Sequence, residues 1–347
     1  MLRALVDLFG RFFVVCGTTF SRSVFSSGSH KLFHVTKFVL QLWDVVLQGW
    51  WRWSNLRMQG ADVPNGSATW IEYTGAPVSE DEVIVWLPGG GFCFHDVFEV
   101  SLARALLPRL AAERGSAPPI LVFRYRLPAK IEDTPSDIDD VLRWLRLTCG
   151  IERIVLAGDS AGGYLVVNHL IDACAHVGAQ RIDAALALYP LLDLSCSGAS
   201  HVENASLDAL HGSLVRAGQE AFAPKLSTAE LRDASPAFAS AELLHAVMGA
   251  GSAAAAAPVV IVSGRRDLLR SDATRFVQAS RRAYERNPGA KLRLPEYVEV
   301  DDGVFGVHCA ALFPRLLVGR SKPIAEALEA CYRGCKEGLE DKSGSGW

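Results

Sequence analysis

Six residues constrain this chain more than any others. Gly158-Asp159-Ser160-Ala161-Gly162-Gly163 separates the β-branched run Arg153 to Ala157 from the apolar stretch Ala161 to His176. A strand that reverses into a helix within so few residues needs a sharp turn, and Cβ atoms at positions 158 and 162 would crowd it. The spacing puts Ser160 at the tip of that turn, at a helix N-terminus, with its hydroxyl exposed. The letters G-x-S-x-G alone are a weak signal in a chain with 30 glycines, and the strand-turn-helix setting gives them meaning. The competing reading is a glycine-rich turn holding an ordinary serine.

The same grammar repeats along the chain. Short apolar runs at Thr69 to Tyr73, Glu82 to Leu87, Ile120 to Tyr125, Arg153 to Ala157, Ala184 to Leu188, Val259 to Ser263 and, more weakly, Leu292 to Val300 predict strands. Helical patterns lie between and after them, at Ser101 to Arg114, Ser136 to Leu147, Ala161 to His176, Asp272 to Glu285 and Cys309 to Tyr332. Strand followed by helix, repeatedly, predicts an α/β fold with a mainly parallel central sheet flanked by helices. The stretch 195–245 carries no strand pattern and reads as a cap-like insertion above the sheet, and Gly249 to Ala257 is a Gly/Ala connector.

Before this unit lies an apolar, Trp-rich segment. Between Leu2 and Phe20 the charges Arg3, Asp7 and Arg11 fall four apart and break any uninterrupted signal-peptide core. From Leu32 to Trp53, polar residues every three or four positions leave a wide apolar face with Trp43, Trp50, Trp51 and Trp53, the pattern of an amphipathic helix. Such a helix either covers the apolar mouth of a site or lies on a bilayer surface. The expected organisation is therefore an N-terminal helical cap over residues 1–60 that can touch a membrane, a catalytic domain over 61–335, and a flexible Ser/Gly tail over 336–347. The expected location is cytoplasmic, with peripheral contact at a membrane such as the endoplasmic reticulum.

With 35 Lys and Arg against 38 Asp and Glu, the net charge of −3 argues against a nucleic-acid partner. The 8 cysteines form no C-x-x-C pair, which predicts reduced thiols; Cys331 and Cys335 lack a nearby His to complete a metal site.

Chemistry needs more than a serine. Pro88-Gly89-Gly90-Gly91-Phe92 follows the strand Glu82 to Leu87, and consecutive glycines let backbone N–H groups turn outward together to hold a developing oxyanion. No Lys-Ser or Lys-Thr follows, which excludes a Walker-type phosphate loop. Asp267, in Gly264-Arg265-Arg266-Asp267-Leu268-Leu269, stands just past a strand's C-terminal end, whereas Asp272 is placed to cap the next helix. Among the nine histidines only His308 follows the last strand; His169 and His176 fall within the helix after Ser160.

These motifs together resemble the hormone-sensitive-lipase-like, or fold-3, carboxylesterases of the α/β-hydrolase superfamily over roughly residues 69 to 335. The elbow at Gly158 to Gly163 stands unchanged, Pro88 to Gly91 corresponds to the family's His-Gly-Gly-Gly, and Asp267-Leu268-Leu269 is similar to its acid motif. Tyr125-Arg126-Leu127 continuing to Pro135 to Val141, and Tyr189 to Leu194, are further echoes. The resemblance implies Ser160 as nucleophile with Asp267 and His308 as partners, and an oxyanion hole from the N–H groups of Gly90, Gly91 and Ala161. It also implies an N-terminal helical cap walling the acyl pocket, with Trp50, Trp51 and Phe92 touching substrate. No metal or organic cofactor is implied, and the partner is a small apolar ester with a short or medium acyl group. Pro88 departs from the family's His and removes its bracing hydrogen bonds, while Cys309-Ala310 replaces a small residue and Phe. An amidase, deacetylase or acyl transferase would use the same residues, and a small-molecule receptor would share the fold.

Overall fold

Runs of Val, Ile and Leu bounded by polar turns become strands because they can be buried on both faces of a sheet. The computed structural model describes residues 55–96, 99–176, 179–208, 210–249, 257–286 and 292–300, with 308 and 326 besides. Its strands are β1 (Leu56–Ala61), β2 (Gly66–Tyr73), β3 (Glu82–Leu87), β4 (Ile120–Tyr125), β5 (Arg153–Asp159), β6 (Ala184–Leu188), β7 (Val259–Gly264) and β8 (Glu296–Val300). They form one sheet in the order β1-β2-β4-β3-β5-β6-β7-β8. β2 runs antiparallel to both β1 and β4, and the pairs from β4 through β8 are parallel.

The helices are α1 (Glu99–Arg114), α2 (Thr134–Leu147), α3 (Ser160–Ala175), α4 (Ser200–Glu203), α5 (Gly212–Phe222), α6 (Thr228–Asp233), α7 (Ala241–Val247) and α8 (Arg270–Arg286), with a 3₁₀ turn at Pro236–Phe238. The pleat sends alternate residues to opposite faces. Val83, Val85 and Leu87 of β3 join α2, α3 and α8 in one apolar layer. Ile84 and Trp86 join Leu102, Leu106, Leu107 and Leu110 of α1 in the other. The stretch 195–245 holds short helices and, among the described residues, no strand.

The sheet starts earlier than the sequence pattern indicates. β1 lies across the boundary drawn at residue 60, and it escaped notice because an edge strand buries little: only Leu56 of its six residues is buried. β8 begins at Glu296 rather than Leu292, since Pro295 has no N–H to give to a ladder. The expected helices Leu32 to Trp53 and Cys309 to Tyr332, and the tail 336–347, lie outside the described residues apart from Glu326. Among the described residues no helix is long and apolar enough to cross a membrane.

Because β3, β5, β6 and β7 are parallel, their C-terminal ends share one side of the sheet, where sites gather in folds of this kind.

Candidate active site

The turn after β5 is as tight as the sequence requires. Ser160 sits at φ +52°, a left-handed conformation rarely adopted by a side chain with a Cβ. A Cβ on Gly162 would lie 1.9 Å from the Leu87 carbonyl oxygen, so α3 begins in direct backbone contact with the end of β3. Strain of this kind persists only where surrounding structure enforces it, which sets Ser160 apart from an ordinary turn serine. Asp159, the N-cap of α3, makes no side-chain capping bond; its Oδ1 accepts from the Gly89 N–H at 3.0 Å instead. The first-turn N–H groups of α3, including that of Ala161, therefore receive no cap from Asp159.

The glycine loop faces this turn. Gly90 at φ +111°, Gly91 at +60° and Phe92 at +63° form a left-handed run. Among the described residues, the N–H groups of Gly90 and Gly91 donate no hydrogen bond. Pro88 does not leave the loop unbraced: the Tyr125 hydroxyl donates to its carbonyl at 2.8 Å, and Asp159 holds the next amide. Phe92 is fully buried. Its ring stacks on Phe222 of α5 with centroids 3.9 Å apart and meets Tyr164 edge-on at 5.7 Å, which fastens the loop beneath the insertion. Trp50 and Trp51 lie outside the described residues.

His308 and Asp267 come together although 41 residues separate them. The imidazole Nδ1 and the Asp267 Oδ1 are 3.0 Å apart, and Asp267 is wholly buried. Asp267 Oδ1 also accepts from the Leu269 N–H at 2.9 Å, and the Asn204 amide donates to the Asp267 carbonyl at 2.8 Å. His308 Nε2 is buried and has no hydrogen-bond partner among the described residues. Burial alone would lower the affinity of this imidazole for a proton, but Asp267, aided by Asp208 and Asp96, outweighs it and raises the pKa. The ring packs edge-on against Tyr189, at the end of β6, with centroids 5.8 Å apart. Leu191, two residues on, donates its N–H to the Ser160 carbonyl. One short segment thus touches both the serine and the histidine.

The other candidates are used differently. Asp272 lies in the first turn of α8, fully buried beside His201 Nε2 at 3.4 Å, and accepts from the Asp193 N–H. His169 Nε2 bonds the Gln180 carbonyl and His176 Nδ1 the Asp172 carbonyl. Sequence reasoning gave Tyr125, Asn204 and Asp208 no role in this site: Tyr125 stands only in a connecting-segment echo, no motif marks the other two, and the site residues they bond lie far along the chain.

Comparison with known proteins agrees with this fold. Residues 84–288 match the sequence family described as alpha/beta hydrolase fold, well over half of the chain. An acetyl-hydrolase of Streptomyces hygroscopicus is 27% identical over 225 residues, covering 62% of this chain and 67% of that protein. Esterase LipU of Mycobacterium tuberculosis is 34% identical over 153 residues, covering 43% of this chain. The match spans about half of that esterase, 49% of its length. A hormone-sensitive lipase from a metagenome library superposes with a TM-score of 0.58 at 19% identity, covering 80% of this chain and 85% of that one. Esterase EstE5 gives 0.58 at 20%, covering 86% and 90%. At such identities these two likenesses speak for the fold. The chain belongs to the alpha/beta hydrolase fold family. These relatives and solved structures are named as hydrolases, esterases or lipases.

Proposed function

We propose that the chain cleaves carboxylic esters of apolar substrates with short or medium acyl groups, through an acyl-enzyme on Ser160. The observation that carries this reading is the buried His308–Asp267 pair, whose imidazole Nε2 has no hydrogen-bond partner among the described residues, together with the strained serine turn after β5. In the proposed reaction Ser160 Oγ attacks the ester carbonyl while His308 Nε2 takes the hydroxyl proton. The Nδ1–H donates to Asp267 Oδ1, which fixes the tautomer and stabilises the imidazolium. The negative oxygen of the tetrahedral intermediate accepts from the N–H groups of Gly90, Gly91 and Ala161. Nε2–H then protonates the leaving alcohol, and water repeats the sequence on the acyl-enzyme to release the acid and regenerate Ser160. The Trp-rich segment before residue 55, with Trp50 and Trp51, is proposed to close the acyl pocket.

A p-nitrophenyl ester series from acetate to palmitate, run with and without an added alcohol as competing acceptor, tests this. The reading expects the highest kcat/KM at short or medium chains and the free acid as main product. A maximum at palmitate, or dominant transfer to the alcohol in dilute aqueous solution, would count against it.

A further inference from the structure

Asp208, in the insertion above the sheet, is 2% exposed and has a carboxylate that both oxygens put to use. Oδ1 accepts from the His308 N–H at 2.8 Å and the Leu210 N–H at 3.1 Å; Oδ2 accepts from the Leu268 N–H at 2.6 Å. Leu268 directly follows Asp267. One side chain therefore holds the main chain of the base and the main chain beside the acid, which lie on two different loops. We propose that Asp208 is a positioning residue that fastens the His308 backbone to the Asp267 loop, so that the insertion sets the geometry of the catalytic pair. The proposal rests on the hydrolase reading of Ser160, Asp267 and His308.

A neutral acceptor could bind the same amides at a smaller desolvation cost. The charge adds something else. It stands beside an imidazole that becomes positive in the reaction, and it favours that charged form. Among the described residues, titratable groups facing the cluster include Asp267 from the loop after β7, His308 itself and, acting on His308 from the glycine-loop side, Asp96. Burial, with the Asp267 charge, pushes the Asp208 carboxyl up to about 7, while His308 and the amides pull it down. Near neutral pH the protons therefore belong to the cluster rather than to one residue. Asp208, Asp267 and His308 offer atoms within 4.8 Å of one another, and the hydrogen bonds above account for that closeness.

The test is Asp208→Asn, with Asp208→Glu as the variant that keeps the charge. Rates are referred to the number of sites that a fluorophosphonate labels after long incubation, so unfolded molecules do not count. Asp208→Asn is expected to lower kcat on the order of a hundredfold with KM little changed, as for a catalytic group displaced by about 1 Å. It should also move the acid limb of kcat/KM to lower pH, because an imidazole without that neighbour holds its proton less tightly. Asp208→Glu should leave the limb near its wild-type position. Wild-type kcat and an unmoved limb in Asp208→Asn would overturn the proposal. So would loss of every labelled site in both variants with the wild type intact, which would assign Asp208 to folding rather than to the histidine. A wild-type chain that takes no label at Ser160 would instead defeat the hydrolase reading underneath.

Discussion

Replacing Gly162 with Ala tests the elbow by steric force alone. The added Cβ would stand 1.9 Å from the Leu87 carbonyl oxygen, 2.8 Å from the Leu87 carbonyl carbon and 2.9 Å from the Pro88 carbonyl oxygen. Contacts below 3.0 Å are essentially never adopted, so main chain must move by at least 3.0 − 1.9 = 1.1 Å. The obstructing atoms are backbone, and no rotamer change relieves them. The segment displaced is the end of β3, from which Gly89 to Gly91 continue. Overpacking of this kind destabilises by about 1–3 kcal/mol. A shift near 1 Å between the glycine N–H groups and Ser160 should lower kcat on the order of a hundredfold. Two controls separate the effects. Gly60→Ala meets nothing within 4 Å and should change neither Tm nor kcat. Gly150→Ala also has open space but sits at φ +71°, so it should lose stability by about 1 kcal/mol and keep its kcat. Thermal melts and p-nitrophenyl butyrate kinetics on the three variants provide the readout. Gly162→Ala with wild-type kcat and Tm would show that the elbow does not need the close approach of α3 to β3.

The raised pKa of His308 gives a second expectation: the imidazole must be neutral to accept a proton, so the acid limb of kcat/KM lies above the ordinary histidine value of about 6.5, and a limb below it would contradict the assignment. Asp267→Asn should lower kcat on the order of 10⁴-fold, as loss of the group that orients the base does in a Ser-His-Asp triad. Asp272→Asn should leave kcat near wild type, because its neighbour is His201. Burial pushes the Asp272 carboxyl up to about 6, with His201 pulling it back. Its folded-state value is therefore raised, and the associated stability is full below the unfolded carboxylate pKa and lost as pH rises through about 6. Asp272→Asn should flatten the fall of Tm between pH 4 and 8, and a greater loss of kcat than in Asp267→Asn would reverse the choice of acid. Removal of residues 1–54, stopping short of β1, should alter acyl-chain preference in detergent-free buffer, and unchanged selectivity would defeat the cap role proposed for the Trp-rich segment.

What the sequence reveals depends on how local its cause is. β3 and β4 are bounded correctly because Glu-Val-Ile-Val-Trp-Leu and Ile-Leu-Val-Phe-Arg-Tyr are largely buried on both faces and read as continuous apolar runs. β1 is hidden because an edge strand with one buried residue carries no such run. Ser160, Asp267 and His308 each announce themselves by their place after a strand. Asp208 does not, since the residues it ties together, Leu268 and His308, are 60 and 100 residues away. The packing of Phe92 is equally hidden, because Phe222 and Tyr164, which its ring meets, come from elsewhere in the chain. Pro88 reads as a lost brace until Tyr125 is placed beneath its carbonyl.

Ser160 is the proposed nucleophile of this chain. Intact-mass analysis after fluorophosphonate treatment, followed by peptide mapping, addresses it directly. One adduct per chain is expected, on the peptide containing Ser160, with labelling abolished in a folded Ser160→Ala variant and strongly slowed in His308→Ala. An adduct on another serine, or labelling that persists in Ser160→Ala, would contradict it.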